Sequence, residues 1–254
     1  MTRNICALIF IIFICSCSKN ENVNDTIEEE QKPILLLLKE RFKNETLDAS
    51  YTYNPDSTLQ SITTYLDGEE RLHTTYEYDN DIIESTTNRA DSGVKVSSLR
   101  YSNINSIQRK REQFNDMGQL ISTSIYGFED SSCGYVSIKR IDATNTLISD
   151  TRVDFIDHNC SSTFYKTNSG QEEYKEWEYI RNDKFDANNS TTLPFFGVDQ
   201  LYGVTKLMRY GISGSLSTNL SYESSIEYNE ENFPIGEIRT YLDGDIVEYT
   251  YTYY

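Results

Sequence analysis

The chain has 254 residues and is strongly acidic, with 40 Asp and Glu against 23 Lys and Arg and a net charge of −17 at pH 7. Such a surface repels phosphate backbones, which argues against nucleic acid binding. The hydrophobic share is only 37%, yet the chain holds 20 Tyr and 11 Phe, whose rings can cover a core. We therefore expect a folded chain of one large domain or two small ones.

The N-terminus has the pattern of a secretory signal. Arg3 precedes an apolar run, Ala7–Ile14, that is too short to cross a bilayer as a helix. The run ends in the letters ICSC, which resemble a bacterial lipobox whose invariant cysteine is Cys17. The resemblance implies that residues 1–16 are removed and that Cys17 carries the acyl anchor. An ordinary signal peptide with incidental cysteines is the alternative.

The segment after Cys17 is expected to be a tether. Residues 17–32 are polar and acidic and contain no aromatic residue, which is typical of disordered linkers. Ser18 stands where an aspartate would retain such lipoproteins at the inner membrane, so the resemblance implies the outer membrane. Over 34–42 the sequence is ambiguous: Pro33 before LLLLKERF would suit a helix start, whereas the repeat pattern described next requires a strand, which we prefer.

One pentapeptide, TYLDG, occurs at Thr64–Gly68 and again at Thr240–Gly244. Both copies follow a Tyr-Asn pair, a polar turn and an apolar alternation, and both precede alternating Tyr and Thr. Asp-Gly is a preferred pair for a two-residue type I′ turn, and Thr, Tyr, Ile and Val favour strands. The sequence thus predicts a repeated β-hairpin, with a type I′ turn in each copy.

Weaker copies of the same phrase lie between these two. They occur at Tyr76–Asn80, Gln113–Leu120, Ile141–Leu147 and Phe155–Asn159. In two further turns Ser57 and Asn232 stand where the pattern has glycine. Strand registers between 101 and 181 cannot be fixed from so degenerate a pattern.

The phrase Tyr-x-Tyr-Asn/Asp-x-x-Gly-x-Leu is similar to the YD repeats of RHS shell proteins. From Leu35 to Tyr254 the chain resembles Gram-negative, Bacteroidetes-type lipoproteins of unknown function built from degenerate YD-like hairpins. The resemblance implies a single all-β domain over 33–254. Its expected fold is a large curved antiparallel sheet of hairpins, forming an open barrel or a partial shell.

Two cysteines remain once the N-terminal ones are assigned. Cys6 and Cys15 leave with the signal and Cys17 is acylated, so Cys133 and Cys160 are left. An even pair in an oxidising compartment predicts a disulfide. Two buried free thiols are the alternative.

The stretch 182–220 does not follow the repeat. We expect a short helix near 198–210, and a segment of this length is often functional or disordered. A plug covering one mouth or edge of the sheet is favoured over a ligand or partner site. The residues of such a site would be aromatic: Phe195, Phe196, Tyr202 and Tyr210.

Motifs for catalysis were sought without success. His73 and His158 have no metal-ligand partner at usable spacing, and no nucleophile elbow or phosphate-binding loop occurs in the sequence. We therefore predict no enzyme, no cofactor and no metal site, although a hydrolase with an unrecognised carboxylate site is a remote alternative.

The expected function is that of an envelope-anchored scaffold or binding lipoprotein. Its predicted partners are the membrane, through the lipid anchor, and a glycan or an envelope protein. The alternative is a carrier that holds an apolar ligand inside the curved sheet, with Leu193–Tyr210 as a lid.

Overall fold

The computed structural model describes residues 36–128, 133, 136–157, 160–184 and 203–254. Within these residues sixteen antiparallel strands form one closed barrel, and the chain from Leu35 to Tyr254 is one compact unit. The predicted signal, Cys17 and the predicted tether lie outside the described residues. In the described part of the chain no helix is long and apolar enough to cross a membrane.

The strands follow one another as a meander. The first eight are β1 Leu38–Lys43, β2 Thr46–Tyr53, β3 Leu59–Leu66, β4 Glu69–Asp79, β5 Ile82–Arg89, β6 Lys95–Asn105, β7 Gln108–Asn115 and β8 Leu120–Gly127. The second eight are β9 Ser137–Asp142, β10 Leu147–Phe155, β11 Ser162–Asn168, β12 Tyr174–Arg181, β13 Val204–Arg209, β14 Tyr222–Tyr228, β15 Pro234–Tyr241 and β16 Ile246–Tyr253.

The barrel closes because β1 pairs with β16, from Leu38 opposite Tyr253 to Lys43 opposite Tyr249. The all-β antiparallel prediction is confirmed, but the predicted open barrel or partial shell is wrong. A meander leaves its first and last strands as exposed edges, and pairing them removes both edges. Successive hairpins in a sequence do not reveal whether the two outermost strands meet. The ambiguous N-terminal stretch is a strand from Leu38 onward, as preferred.

The expected helix near 198–210 is wrong where the chain is described. Val204–Arg209 is strand β13 of the barrel wall, and 198–202 lies outside the described residues. Its side chains follow a period of two, since Leu207 is buried while the neighbouring Lys206 pairs with Glu223 on the outside. Across the residues described, helical geometry is limited to a 3-10 turn at Thr218–Leu220.

The two TYLDG copies form different turns. In the first, Asp67 has φ +54° and Gly68 φ +84° between the paired Leu66 and Glu69, as a type I′ turn requires. In the second, Tyr241 N donates to Asp245 O at 2.8 Å and Gly244 N to Tyr241 O at 3.0 Å. Here Gly244 has φ +99° and Asp243 does not have positive φ, so the type I′ prediction is wrong for this copy. A type I turn ending in a left-handed residue takes its place.

That second geometry recurs in five other turns, which begin at Asn54, Asn115, Asp142, Gly211 and Asn229. The left-handed residues of the six turns are Ser57, Gly118, Asn145, Gly214, Asn232 and Gly244. The turns without glycine therefore keep the same backbone. Asn tolerates positive φ better than most residues, which explains how the sequence phrase can degenerate while the turn persists.

The two faces of the barrel wall differ in exposure. On β6, Tyr101 is 5% exposed, whereas the side chain of the adjacent Arg100 is 47% exposed. Tyr76 of β4 packs both against a cluster that contains Tyr51 of β2 and against Tyr101 of β6. Only a concave wall brings together strands that are two apart, so these residues define the inner face.

The connections after even-numbered strands share one end of the barrel, since consecutive strands are antiparallel. At this end a disulfide joins Cys133, in the β8–β9 connection, to Cys160, in the β10–β11 connection, with 5.3 Å between their Cα atoms. Residue 36 enters β1 at the same end. Asn182 N donates to Gly203 O at 3.0 Å there, across the connection between β12 and β13.

Candidate functional site

The inner face is the candidate site because it combines aromatic rings with cations. Six guanidinium groups lie over rings contributed by the barrel or its connections. The pairs are Arg41 on Tyr249, Arg109 on Phe128, Arg111 on Tyr126, Arg181 on Tyr179, Arg209 on Trp177, and Arg239 on Tyr222 and Tyr249. A cation over an aromatic face is attracted by the ring quadrupole, and more strongly when both are shielded from water.

The most buried ionic group of this wall is Glu237 of β15, which is 7% exposed. Its carboxylate accepts from Arg239 Nε at 2.6 Å, from Ser224 Oγ at 2.7 Å and from the Tyr251 hydroxyl at 2.6 Å. Burial alone would raise the pKa of Glu237, but the bonds and the charge of Arg239, helped by Tyr251 and Ser224, leave it below the ordinary value. The carboxylate is therefore ionised at neutral pH and cannot serve as a proton donor.

A second buried carboxylate, Glu176, is 7% exposed and sits at a register shift of β12. Lys166 Nζ donates to it at 2.9 Å, and the Arg209 guanidinium approaches to 3.3 Å. Arg209 in turn lies 3.7 Å from the centre of the Trp177 ring. A β-bulge turns two successive side chains toward one face, which lets Glu176 and Trp177 both meet Arg209.

A β-bulge also positions Asp48, the third acidic residue of the inner wall. A register shift between β1 and β2 falls beside it, and Arg41 Nε donates to its Oδ2 at 2.7 Å. Burial works against the charge of Arg41, but Tyr51 and Asp48 leave the pKa of the guanidinium raised. Each of these three acidic groups is thus held by a cation of the inner wall.

Tyrosine hydroxyls tie neighbouring strands together by donating to backbone carbonyls. Tyr78 donates to Leu59 O at 2.8 Å, and Tyr253 donates to Pro234 O at 2.6 Å. Burial raises the pKa of Tyr76 and Tyr78 to about 12, so both hydroxyls stay protonated at neutral pH. Tyr78 acts as a fixed donor and Tyr76 as a packing group, and neither hydroxyl is a base at neutral pH.

Of the four aromatic residues predicted as a binding site, the structure describes Tyr210, so the predicted grouping stays a prediction. Tyr210 directly follows β13 and pairs with Leu216 in an isolated β-bridge. Its ring centre lies 4.6 Å from Lys175 Nζ. Phe195, Phe196 and Tyr202 lie outside the described residues. Sequence reasoning missed the inner-wall cations. The sequence pattern that could have revealed them is the spacing of Arg109 and Arg111, which are two residues apart in β7 and so share a face. The pattern was not used because the strand registers of this region could not be fixed from the sequence.

Groups suited to catalysis or metal binding were sought in the described residues. No cluster of three or more His, Cys, Asp or Glu able to hold a metal ion is found there. Glu176 and Glu237 lie on β12 and β15, and each is held by its own cations. His73 bonds Thr63 Oγ1 at 3.0 Å across β3 and β4, and His158 lies outside the described residues.

No protein-family model matches the chain, and no curated protein matches it. Among solved structures, a porin-like protein from Bacteroides uniformis is similar, with a TM-score of 0.54 and 10% identity over 81% of this chain and 89% of that chain. A porin-like protein from Bacteroides vulgatus gives a TM-score of 0.46 and 9% identity over 86% of this chain and 99% of that one. At such identities the first likeness establishes a shared fold, the large antiparallel β-barrel.

Proposed function

We propose that this protein is a non-catalytic binding lipoprotein of the bacterial envelope. An acyl group on Cys17 holds it at the outer membrane, the barrel stands in water, and the lumen binds a ligand. The observation that supports this function is the difference between the faces: buried carboxylates held by cations and aromatic rings lie inside, and exposed ion pairs lie outside.

The outer face carries charged groups that oppose its burial in lipid. Exposed ion pairs lie across it, including Arg100 with Glu84 and Lys206 with Glu223. A membrane barrel instead presents an apolar band about 25 Å tall, where an outward Arg or Lys costs about 2–4 kcal/mol at the bilayer midplane. Membrane strands also need about 9–11 residues, whereas β1, β9 and β13 have 6 each. These features favour a tethered barrel over an embedded one.

The inner face favours a polar ligand with aromatic-stacking surfaces, such as a glycan. Sugars offer hydroxyls to charged groups and flat faces to rings, and both kinds of group line this wall. The Leu38, Tyr51 and Tyr251 cluster would suit an apolar ligand, as in the carrier alternative. An apolar ligand would, however, remove water from cations such as Arg111 and Arg140 without replacing their hydrogen bonds.

Native mass spectrometry of the mature lipoprotein, extracted gently from its own envelope, tests this function. We expect a retained polar ligand in addition to the mass of the acylated chain. Replacing Arg209 with Gln should release it, whereas the matched outer-face change Arg100→Gln should not. A bare chain, or a ligand that both variants retain equally, would contradict binding at the inner wall. A retained lipid would instead support the carrier.

A further inference from the structure

One part of the inner wall, from β5 to β10, carries cations with little opposing charge. Arg111 of β7 and Arg140 of β9 both lie on the inner face, in register with the buried Ser124 of β8. The ion pairs described on β6 and β7, Arg100–Glu84 and Lys110–Glu112, belong to the outer face. The two inner guanidiniums contact uncharged groups instead. Arg111 lies 5.8 Å from the Tyr126 ring centre, and Arg140 donates to Ser122 Oγ at 3.3 Å.

The single carboxylate at the paired inner positions of β5 to β10 is that of Asp142. Its Oδ1 accepts from Thr144 N at 2.8 Å and from Thr146 N at 2.9 Å, within its own turn. The Thr144 hydroxyl also donates to Oδ1, at 2.7 Å, and this bond, with those from the two backbone N–H groups, lowers the pKa of Asp142 because all of them favour the ionised form. The carboxylate therefore stabilises the β9–β10 turn rather than neutralising the arginines.

A small side chain, that of Ser124, separates the two arginines. Ser124 pairs with Arg111 on one side and with Arg140 on the other, so the two arginine Cα atoms stand about 10 Å apart, or two strand spacings. Ser122 and Ser124 are each 3% exposed and add almost no volume to the wall. Arg140 remains exposed although it lies on the inner face, so water reaches this part of the lumen.

We infer that the row Arg111–Ser124–Arg140 binds an oxyanion group of the ligand, a sulfate or a carboxylate carried by a saccharide. This inference rests on the proposed function and names its ligand class. A guanidinium presents a planar fork of donors that matches such groups bidentately, and two arginines that flank one small residue can both donate to one anion. The hydroxyl of Ser122, already bonded to Arg140, orients that fork.

Two matched pairs of variants provide the test. Arg111→Gln and Arg140→Gln remove an inner cation, whereas Lys110→Gln and Lys139→Gln remove the cation of the adjacent residue on the outer face of the same strand. Calorimetric titration of the mature protein in non-ionic detergent would use four probes: a sulfated oligosaccharide, its desulfated counterpart, a uronic-acid oligosaccharide of the same length and inorganic sulfate. Circular dichroism and thermal unfolding would establish that all four variants keep the barrel.

We expect the wild-type protein to bind the sulfated oligosaccharide and to bind its desulfated counterpart at least tenfold more weakly. Each inner variant should lose about tenfold or more in affinity, as expected for one charged hydrogen-bonding partner, and each outer variant should stay within twofold. Inorganic sulfate should compete weakly, because it lacks the saccharide contacts.

Equal losses in inner and outer variants would show general charge attraction and would overturn the inference. So would the absence of binding to the sulfated probe and to a uronic-acid oligosaccharide of the same length. Failure of the anion site can be distinguished from failure of the proposed binding function. A neutral ligand retained in native mass spectrometry, with no response to sulfation, would leave the binding function standing and remove the anion site alone.

Discussion

The guanidinium of Arg209 lies 3.7 Å from the ring centre of Trp177, the single tryptophan of the chain. This pair makes the inner wall observable by fluorescence. We expect Arg209→Gln to change the emission of Trp177 and to lower the melting temperature, since Glu176 would keep only Lys166 as a cation. Arg152 lies 4.4 Å from the Tyr165 ring centre but on the exposed face. Arg152→Gln is therefore the matched control and should change neither quantity appreciably. An unchanged emission maximum in the first variant would show that Trp177 does not depend on Arg209.

Glu237 and Glu223 form a contrast between a buried and an exposed carboxylate. Glu237→Gln should destabilise the barrel by about 3 kcal/mol, the lower end for a buried ion pair, because it leaves the partly buried Arg239 with a neutral partner. Glu223 is a 62% exposed partner of Lys206, so Glu223→Gln should cost about 1 kcal/mol or less. Denaturant or thermal unfolding of the two variants measures the difference. Equal losses of stability in the two variants would mean that the Glu237–Arg239 ion pair contributes no more than an exposed one.

The same carboxylate predicts a direction for acid unfolding. Because the folded-state pKa of Glu237 lies below its ordinary value of 4.5, its contribution is complete above that value. It is lost as the pH falls from 4.5 through the lower folded-state pKa, since the unfolded chain binds the proton more readily. The melting temperature should therefore drop over this acid range. In Glu237→Gln the drop should be smaller, and an identical pH profile in both proteins would contradict the assignment.

The disulfide ties together two connections at one end of the barrel. Cys133 and Cys160 are 27 residues apart in sequence, and closing a loop of this length stabilises by about 3–4 kcal/mol in the chain-entropy model. Reduction should lower the melting temperature of the wild-type protein and add the mass of two hydrogens. The double variant Cys133→Ser/Cys160→Ser should melt at the lower temperature with or without reductant. If reductant lowers its melting temperature too, the bridge is not the cause.

The two TYLDG turns offer a test within one sequence. Asp67 has φ +54°, so Asp67→Ala places an alanine in the left-handed region and should cost about 1 kcal/mol. Asp243 is not in that region, and its carboxylate makes one long bond, at 3.3 Å, to Asp245 N. Asp243→Ala should therefore cost less than half as much. Thermal unfolding of both variants measures this, and equal losses would mean that the two turns share one geometry.

The two TYLDG turns also show which features of the fold could be predicted from the sequence. Alternating Tyr and Thr around Asp67-Gly68 predicted strands and a hairpin correctly, because both signals are local. The second copy contains the same letters yet forms another turn, since the loop length is set by how β15 and β16 pair. Closure through Leu38 and Tyr253 was equally invisible, because it depends on curvature accumulated over all the strands.

The candidate site was harder to predict than the fold for a related reason. Arg111 and Arg140 belong to a row only through the register of β7, β8 and β9, and a shift of one residue would move either side chain to the outer face. The mispredicted helix had the same origin. Over a segment as short as Val204–Arg209, the apolar residues fit the helical and the strand period equally well. The segment is a strand because it pairs with β12 and β14.

The central claim, a tethered barrel that faces water, is tested most directly by the state of residues 24–254 secreted without the lipobox. This segment contains all the described strands, from Leu38 to Tyr253. Sedimentation velocity in detergent-free buffer should show a single folded species, with full-length protein remaining membrane-bound and Cys17→Ser released from the membrane. A fragment that aggregates without detergent and folds only in micelles or bilayers would contradict the account and place the barrel within the membrane.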